Sequence, residues 1–258
     1  MKIALAHLEL SVSGEIKNKE KLEKAIQIAG CAGADWLLTP ETALQGYFFH
    51  KIQPIIQAPV QPSQRASKLA KEAAAYQMNL FLCCGEYEKQ LQKNFNSCLV
   101  FDKQGEVIGR HRKIISHGVG AEAWAARSRD IQPILCDGIQ AGVMICADAW
   151  EENNSSSLAR QGADILLDLA AWPYGSCCGD PTAVWQRCSE RTGLPMIVCN
   201  QTGDNRYMNM WEANSAILEK GTVLDTYCGE EAVLLCEWNS KTRAFIRRRF
   251  EVLPFAMY

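Results

Sequence analysis

The chain has 258 residues, of which 48% are hydrophobic and 22% are charged, and its formal net charge is −2. This composition excludes disordered and fibrous proteins, and the small net charge favours neither nucleic acid nor a membrane surface as a partner. Its apolar runs, such as residues 80–84 and 141–146, are far too short to span a bilayer. Residues 1–10 lack a long apolar segment and a small-residue cleavage site, so we interpret them as containing a first strand rather than a signal peptide.

The first half of the chain alternates between strand and helix patterns. Apolar residues from Leu22 to Ala29 recur at i, i+3, i+4 and i+7, which predicts an amphipathic helix that ends near residues 30–33. A second helix is predicted after Ser63, whose hydroxyl is suited to capping its N-terminus. The predicted strands of this half cover residues 2–8, 35–39, 80–84, 95–101 and 106–112, and the last two form a β-hairpin.

The second half repeats this alternation. One helix is predicted to end over residues 158–162, and another begins at Asp180 and Pro181 and closes on Gly193 after Thr192. Helices interleaved with strands and hairpins indicate an α/β fold with mixed sheets. No G-x-G-x-x-G follows the first strand, so the sequence lacks the dinucleotide-binding fingerprint. The predicted strands of this half cover residues 139–145, 163–169, 196–199, 213–218, 222–227 and 232–237.

The chain contains 12 cysteines, most of them inside apolar runs. Free cysteine behaves there as a small hydrophobic residue, and without an export signal we expect a reducing, cytoplasmic location and no disulfides. Zinc-ribbon sites need cysteine pairs with a short spacer, and the sequence has none. The adjacent pairs Cys83-Cys84 and Cys177-Cys178 project in different directions, so we expect no structural metal.

Reactive side chains stand at the ends of three predicted strands. Glu41 follows residues 35–39, Lys113 ends a hairpin strand in the run R-H-R-K, and Cys146 follows residues 139–145. Strand ends are rigid platforms that face loop-lined crevices, which suits catalysis. Taken singly, the glutamate is more often a solvated cap, the lysine a surface charge and the cysteine a core residue.

Together, these segments resemble the nitrilase superfamily, the carbon–nitrogen hydrolases, over nearly the whole chain. The matching motifs are P-E-x-x-x-x-G-Y at residues 40–47, the lysine at 113 and, most specific of all, G-V-x-I-C-x-D at residues 142–148. The resemblance implies a four-layer αββα sandwich, with two mixed β-sheets covered by helices, as a single domain over residues 1–258. It also implies a homodimer or higher homo-oligomer that pairs through its helical faces.

The match departs from the family pattern after the cysteine, where residues 149–154 read A-W-E-E-N-N instead of a basic, proline-containing stretch. Family members often carry a second glutamate soon after the lysine. Glu122 is the best candidate, although an ordinary loop carboxylate fits its spacing nearly as well. In the family, the loop that follows residue 172 borders the substrate pocket. Trp172, Tyr174 and Tyr47 are therefore candidates for lining that pocket, with core packing or a turn as the alternative.

Amide hydrolysis needs a nucleophile, a proton shuttle and a cradle for developing negative charge. Cys146 can supply the nucleophile as a thiolate, and Glu41 can take its proton if burial raises the pKa of the carboxyl group. Lys113 and the backbone N–H of Ala147 can stabilise the oxyanion, and Glu41 can return the proton to the leaving amine. This chemistry requires no metal and no organic cofactor.

We therefore expect hydrolysis of a small amide through a thioester on Cys146, with nitriles and N-carbamoyl compounds as alternative substrates of the same residues. A catalytically silent relative that acts as a binding subunit, and a cysteine-rich metal or redox protein, are the alternatives outside this chemistry. A Cys–His pair with His111 or His117 ranks lower, because a histidine in a basic run is more often solvated. Substrate choice is expected to depend on the loops 41–60, 117–130 and 172–181.

Overall fold

The computed structural model describes residues 1–116, 118–175 and 179–257 of the chain. Its strands are β1 Lys2–His7, β2 Trp36–Leu38, β3 Asn79–Glu88, β4 Lys93–Phe101, β5 Val107–Arg112, β6 Ile134–Cys136, β7 Ile139–Met144, β8 Ile165–Ala170, β9 Met196–Asn200, β10 Asp204–Asn205, β11 Met208–Asn209, β12 Ser215–Glu219, β13 Thr222–Tyr227, β14 Ala232–Asn239, β15 Ala244–Phe245 and β16 Glu251–Pro254. Its helices are α1 Glu15–Cys31, α2 Phe49–Ile52, α3 Gln64–Ala75, α4 Glu152–Arg160 and α5 Pro181–Thr192, with 3-10 turns at Gly120–Glu122, Cys146–Trp150 and Phe255–Met257.

Two mixed sheets form the centre of the described structure. The first sheet has the order β15-β14-β1-β2-β3-β4-β5, with β16 also paired to β14, and the second has the order β13-β12-β9-β8-β7-β6. Strands joined by helical crossovers run parallel, β1 to β3 in the first sheet and β7 to β9 in the second. Strands joined by hairpins, such as β3, β4 and β5, are antiparallel. Consequently β5 runs in the same direction as β2, and their carboxyl ends lie at the same edge of the first sheet.

Alternate residues of the first sheet face different layers, as the period of two in a strand requires. Ile3 and Leu5 of β1 pack in the core shared with the second sheet, whereas Ala4 and Ala6 pack in a separate core beneath α1 and α3. On the far side, Trp185 of α5 packs onto the second sheet. The order of layers is helix, sheet, sheet, helix, which confirms the predicted αββα sandwich.

The predicted helix signals act as expected at both ends of α5 and at the start of α3. The Ser63 hydroxyl accepts from the Ala66 amide at 3.3 Å, and the Asp180 carboxylate accepts from the Thr182 amide at 2.9 Å. Gly193 closes α5 with a φ of 69°, a left-handed conformation that glycine adopts without steric cost.

The differences between prediction and structure lie in the length of strands and in short elements. The strand predicted over residues 80–84 extends over Asn79–Glu88, because its continuation pairs with β4 in a long hairpin. The short elements α2, β6, β10, β11, β15 and β16 carry no periodic pattern and were not predicted. Among the described residues, no helix combines the length and the hydropathy needed to cross a membrane.

Candidate active site

Glu41 follows β2 and is completely buried. Its Oε1 accepts hydrogen bonds from Asn96 Nδ2 at 2.7 Å and from Lys113 Nζ at 2.6 Å. Its backbone carbonyl accepts from Gln201 Nε2 at 2.6 Å, which ties the turn after β2 to the second sheet. Among the described residues, Oε2 has no hydrogen-bond partner. One carboxylate oxygen is therefore fixed by two donors, and the other is available to take a proton.

Lys113 follows β5 and is buried, although the sequence around it is strongly basic. Its Nζ contacts Oε1 of Glu41 and Oε1 of Glu122, each at 2.6 Å. The Tyr47 hydroxyl donates to the same Glu122 oxygen at 3.0 Å. Glu122 is therefore a buried partner of the lysine and not an ordinary loop carboxylate. Tyr47, predicted to line the substrate pocket, supports this second carboxylate.

Cys146 comes directly after Ile145, where the extended backbone of β7 gives way to a 3-10 turn. Its φ is 52°, a left-handed conformation that costs a non-glycine residue about 1–2 kcal/mol. Thr42, next to Glu41, has a similar φ of 49°. Backbone strain of this kind is concentrated at functional sites, where the surrounding structure enforces it. Cys146 is only 5% exposed, so the turn holds its thiol in a buried position.

Asp148 joins the lysine segment to the cysteine turn. Its Oδ1 accepts from the backbone amides of Ile114 and Ile115, both at 2.8 Å. Its Oδ2 accepts from the Ile145 amide at 3.1 Å and contacts His111 Nε2 at 2.7 Å. This one carboxylate therefore fixes the residues that follow Lys113 and the residue that precedes Cys146.

The charge states of the central groups follow from burial and from their neighbours. Burial raises the pKa of Glu41 to about 7, an effect that the Lys113 ammonium opposes and the Glu122 carboxylate reinforces. Burial opposes the charge of Lys113, but the carboxylates of Glu41 and Glu122, joined by Cys146 when that group is ionised, outweigh it and hold the pKa of Lys113 well above its usual value. The lysine is therefore a permanent cation, whereas Glu41 titrates near neutrality.

The Cys146 thiol rests in its protonated form. Burial, reinforced by the Glu41 carboxylate, raises the pKa of Cys146 well above its usual value, and the Lys113 ammonium offsets this only in part. The thiol and the Glu41 carboxyl group lie close enough for the charge of each to affect the pKa of the other. A resting thiol beside a carboxylate that titrates near neutrality is the arrangement that a proton transfer between them requires.

The remaining predicted residues are placed as follows. Ala147 follows Cys146 in the first turn of the 3-10 helix. Trp172 is buried and lies shortly after the end of β8. Tyr174 is 66% exposed, so its role in a pocket wall stays a prediction. His117 and the pair Cys177-Cys178 lie outside the described residues.

The burial of His111 differs from the prediction. It was predicted to be solvated because of the basic run around it, but it is 3% exposed and contacts Asp148. The alternation of β5 explains this, since His111 faces the second sheet while Arg110 and Arg112 point away from it and contact Glu86.

Sequence reasoning assigned no role to three polar residues of the site, although Asp148 belongs to the motif at residues 142–148. Asn96 on β4 binds Glu41, Gln201 after β9 binds the Glu41 carbonyl, and Asp148 organises both turns. A single polar side chain within an apolar strand or a strand end was the available signal, and it does not identify the partner. Within residues 1–116, 118–175 and 179–257, no cluster of three or more histidine, cysteine, aspartate or glutamate side chains could hold a metal ion.

Comparison with known proteins gives consistent results. The sequence profile of the family described as carbon-nitrogen hydrolase matches residues 2–235. A glutamine-dependent NAD(+) synthetase from Synechocystis is 26% identical over 245 residues, covering 86% of this chain and 43% of that protein. A nitrilase from Pyrococcus abyssi is 26% identical and covers 67% of each chain. The chain thus spans less than half of the synthetase.

The fold also has close counterparts among solved structures. An amidase from Nesterenkonia sp. AN1, in a form with acrylamide added to its active-site cysteine, superposes with a TM-score of 0.82 at 21% identity. The superposition covers 93% of this chain and 94% of the amidase. At this level of identity the likeness establishes the shared architecture of the two chains.

Proposed function

Since the chain belongs to the carbon–nitrogen hydrolase family, we propose that it hydrolyses a non-peptide carbon–nitrogen bond in a small amide and releases ammonia or an amine. The observation that carries this proposal is the contact of Lys113 with both Glu41 and Glu122 at 2.6 Å, with the Cys146 thiol interacting with Glu41. The same residues serve a nitrile or an N-carbamoyl substrate, and the experiment below distinguishes these.

Glu41 acts first as the general base. The proton of the Cys146 thiol passes to the carboxylate, for which Oε2 is the available oxygen, and the thiolate attacks the carbonyl carbon of the amide. When the tetrahedral intermediate collapses, Glu41 gives this proton to the leaving nitrogen and a thioester remains on Cys146. Glu41 then takes a proton from water, which attacks the thioester; the C–S bond breaks, the carboxylic acid is released, and Glu41 returns the proton to the departing Cys146 thiolate. A pKa of about 7 suits Glu41 to both directions of transfer.

Lys113 acts as the electrostatic support of this sequence. Its charge balances the thiolate and the oxyanion of the tetrahedral intermediate, and the Ala147 N–H is the second oxyanion donor. Preorganised donors of this kind commonly contribute about 3 kcal/mol each. Glu122 and Tyr47 hold the ammonium in place, so that it does not follow Glu41 when that group is protonated.

The first test is a screen for ammonia release over small amides, nitriles and N-carbamoyl compounds, combined with mass spectrometry of the acid-quenched protein. We expect ammonia from amides and an acyl adduct on the peptide that contains Cys146. A Cys228→Ser variant serves as the control, since that cysteine is exposed. An adduct on Cys83 or Cys177 instead, or the absence of any adduct with every substrate, would contradict the proposal.

Three further expectations belong to this proposal. We propose that residues 1–258 act as one catalytic unit, that the unit forms a homodimer or higher homo-oligomer, and that it works in the cytoplasm. The ten described cysteines are free thiols, as a reducing compartment favours. Light scattering of the purified protein would measure the oligomeric state directly.

A further inference from the structure

Asp168 is a buried carboxyl group that the proposed mechanism does not use. It lies on β8, the central strand of the parallel segment in the second sheet, and its side chain is completely buried. Its Oδ2 accepts a hydrogen bond from Trp185 Nε1 of α5 at 2.7 Å. No donor among the described residues hydrogen-bonds to Oδ1.

The surroundings of Asp168 disfavour a negative charge. Among the described residues it forms no ion pair, and the ionisable groups around it are Asp148, Glu41, the Cys146 thiol and the Cys188 thiol. A buried carboxylate without a cationic partner is strongly disfavoured, so the group takes up a proton. Burial accordingly raises the pKa of Asp168 well above its usual value, with the indole of Trp185 opposing this in part.

The strand register places the Asp168 carboxyl group close to the turn that carries Cys146. Asp168 is aligned with Met144, the last residue of β7, and Cys146 follows two residues later. The backbone N–H of Cys146 lies near the Asp168 carboxyl group, whose Oδ1 has no donor within hydrogen-bond distance among the described residues.

We propose that Asp168 is a positioning residue for the nucleophile. As a neutral acid it accepts a hydrogen bond from the Trp185 indole and stands beside the Cys146 amide, and these two contacts hold the strained turn that carries the thiol. The inference rests on the proposed role of Cys146. A neutral partner suits this position, because a further negative charge there would oppose formation of the thiolate.

Trp185, which bonds to Asp168, packs in a row with two further tryptophans. Its ring packs edge-on against Trp172 at a centroid distance of 6.1 Å, and Trp172 in turn packs against Trp150 at 5.8 Å. Trp150 is half-exposed, whereas Trp172 and Trp185 are buried. The indole that bonds Asp168 is therefore held by packing, which gives the carboxyl group a fixed orientation.

The experiment measures alkylation of Cys146 by iodoacetamide, read from the peptide that contains it, between pH 5 and pH 9 on the full chain. Asp168→Asn keeps a neutral group of the same shape, and we expect its alkylation rate and pH midpoint to match the wild type within about twofold. Asp168→Ala removes both contacts, the bond to Trp185 and the polar group beside the Cys146 amide, and we expect alkylation at pH 7 to fall by about tenfold, because the thiol is no longer held against its base. Asp130→Ala, at an exposed aspartate, is the matched control.

The readout separates positioning from a purely structural role. A structural role would lower the melting temperature of Asp168→Ala and leave the pH profile of Cys146 unchanged, which would overturn the proposal. Equal loss in Asp168→Asn and Asp168→Ala would overturn it too, since the ionised form would then be the active one. If Asp168→Ala does not fold, Trp185→Phe carries the test, with an expected fall of about threefold and an unchanged rate as the contradicting result.

Alkylation does not depend on turnover, so the two proposals fail separately. If the wild-type protein hydrolyses no amide, nitrile or carbamoyl compound while the variants behave as expected, the proposed function fails and the positioning role stands. If amides are hydrolysed but Asp168→Ala keeps the wild-type alkylation profile, the positioning role alone fails.

Discussion

The lysine side and the cysteine side of the site are equally buried but are stabilised in opposite ways. At the edge of the first sheet, Lys113 is charged and is compensated by two carboxylates at 2.6 Å. On the second sheet, Cys146 and Asp168 are buried without such compensation, and burial raises the pKa of both well above the usual values. The first region thus contains compensated charges, whereas burial keeps the ionisable groups of the second region neutral.

This contrast explains why Glu41 is the group that can exchange a proton with Cys146. Glu41 lies between the two regions, since it bonds to Lys113 and interacts with the Cys146 thiol. Its pKa of about 7 is intermediate between that of a compensated carboxylate and that of an uncompensated one. A group in this position can accept the thiol proton and return it at neutral pH, which neither Lys113 nor Asp168 can do.

Removing the nucleophile has the largest expected effect on activity. Cys146→Ser replaces the thiol by a hydroxyl that is far harder to deprotonate, and we expect amide turnover to fall by about 10⁴-fold or more. The melting temperature should change little, because the residue volume and the turn are retained. Turnover by Cys146→Ser above a tenth of that of the wild type and of Cys228→Ser would assign the chemistry to another residue.

Removing the cation tests the charged region. Lys113→Met leaves Glu41 and Glu122 facing each other in a buried space, and loss of one partner from such a set costs about 3–5 kcal/mol of folding stability. We expect turnover to fall by about 10²–10³-fold as well, since an oxyanion donor is lost. Urea denaturation and ammonia release measure the two effects.

A surface pair provides the matched comparison for this variant. Lys103 contacts Asp137 at 3.0 Å, with both side chains partly exposed. Lys103→Met should therefore cost less than about 1 kcal/mol and leave turnover unchanged. Similar stability losses in the two methionine variants would show that the buried cation is not compensated as described.

Breaking the bridge between the two regions should have an intermediate effect. Asp148→Asn replaces one carboxylate oxygen by an amide N–H group, which cannot accept from both Ile145 and His111. We expect about 1–3 kcal/mol of lost stability and a fall in kcat with little change in KM. An unchanged kcat in folded Asp148→Asn would show that the lysine segment and the cysteine turn hold their geometry independently.

The contrast between the two regions also marks what the sequence could predict. The caps at Ser63 and Asp180 and the closing Gly193 act within a few residues, and local signals of this kind were sufficient. The four layers followed from a resemblance carried by motifs such as residues 142–148, and not from periodicity alone. The predicted strand ends were also sufficient to place Glu41, Lys113 and Cys146.

What stayed hidden depends on contacts between distant parts of the chain. Glu122 was the best candidate for the second glutamate, but a loop carboxylate fitted its spacing nearly as well, because its partner Lys113 is fixed by a different strand. His111 looked solvated because sequence gives its basic neighbours but not the face of β5 on which it lies. Asp168 is a single polar residue in an apolar strand, a signal that does not identify its partners, which are Trp185 and, through the register, the end of β7.

The smallest expected effect is a shift in the pH dependence of kcat/KM. Glu41 must be ionised to take the thiol proton, so activity should fall as the pH drops below a midpoint near 7. The Glu122 carboxylate is one cause of this raised pKa, through repulsion of a second negative charge. Glu122→Gln should therefore lower the pKa of Glu41 and move the acid limb to lower pH. It also leaves Lys113 to pair with Glu41 alone, which acts in the same direction.

This shift separates the electrostatic role of Glu122 from its role in holding the lysine. Tyr47→Phe removes the hydrogen bond to Glu122 and keeps both carboxylates charged, so its acid limb should stay with that of the wild type even if kcat falls. Profiles of kcat/KM measured across the acid range on the three proteins decide the matter. If the limb of Glu122→Gln moves to higher pH, the group that titrates is not Glu41, because loss of a neighbouring negative charge cannot raise the pKa of a carboxyl group.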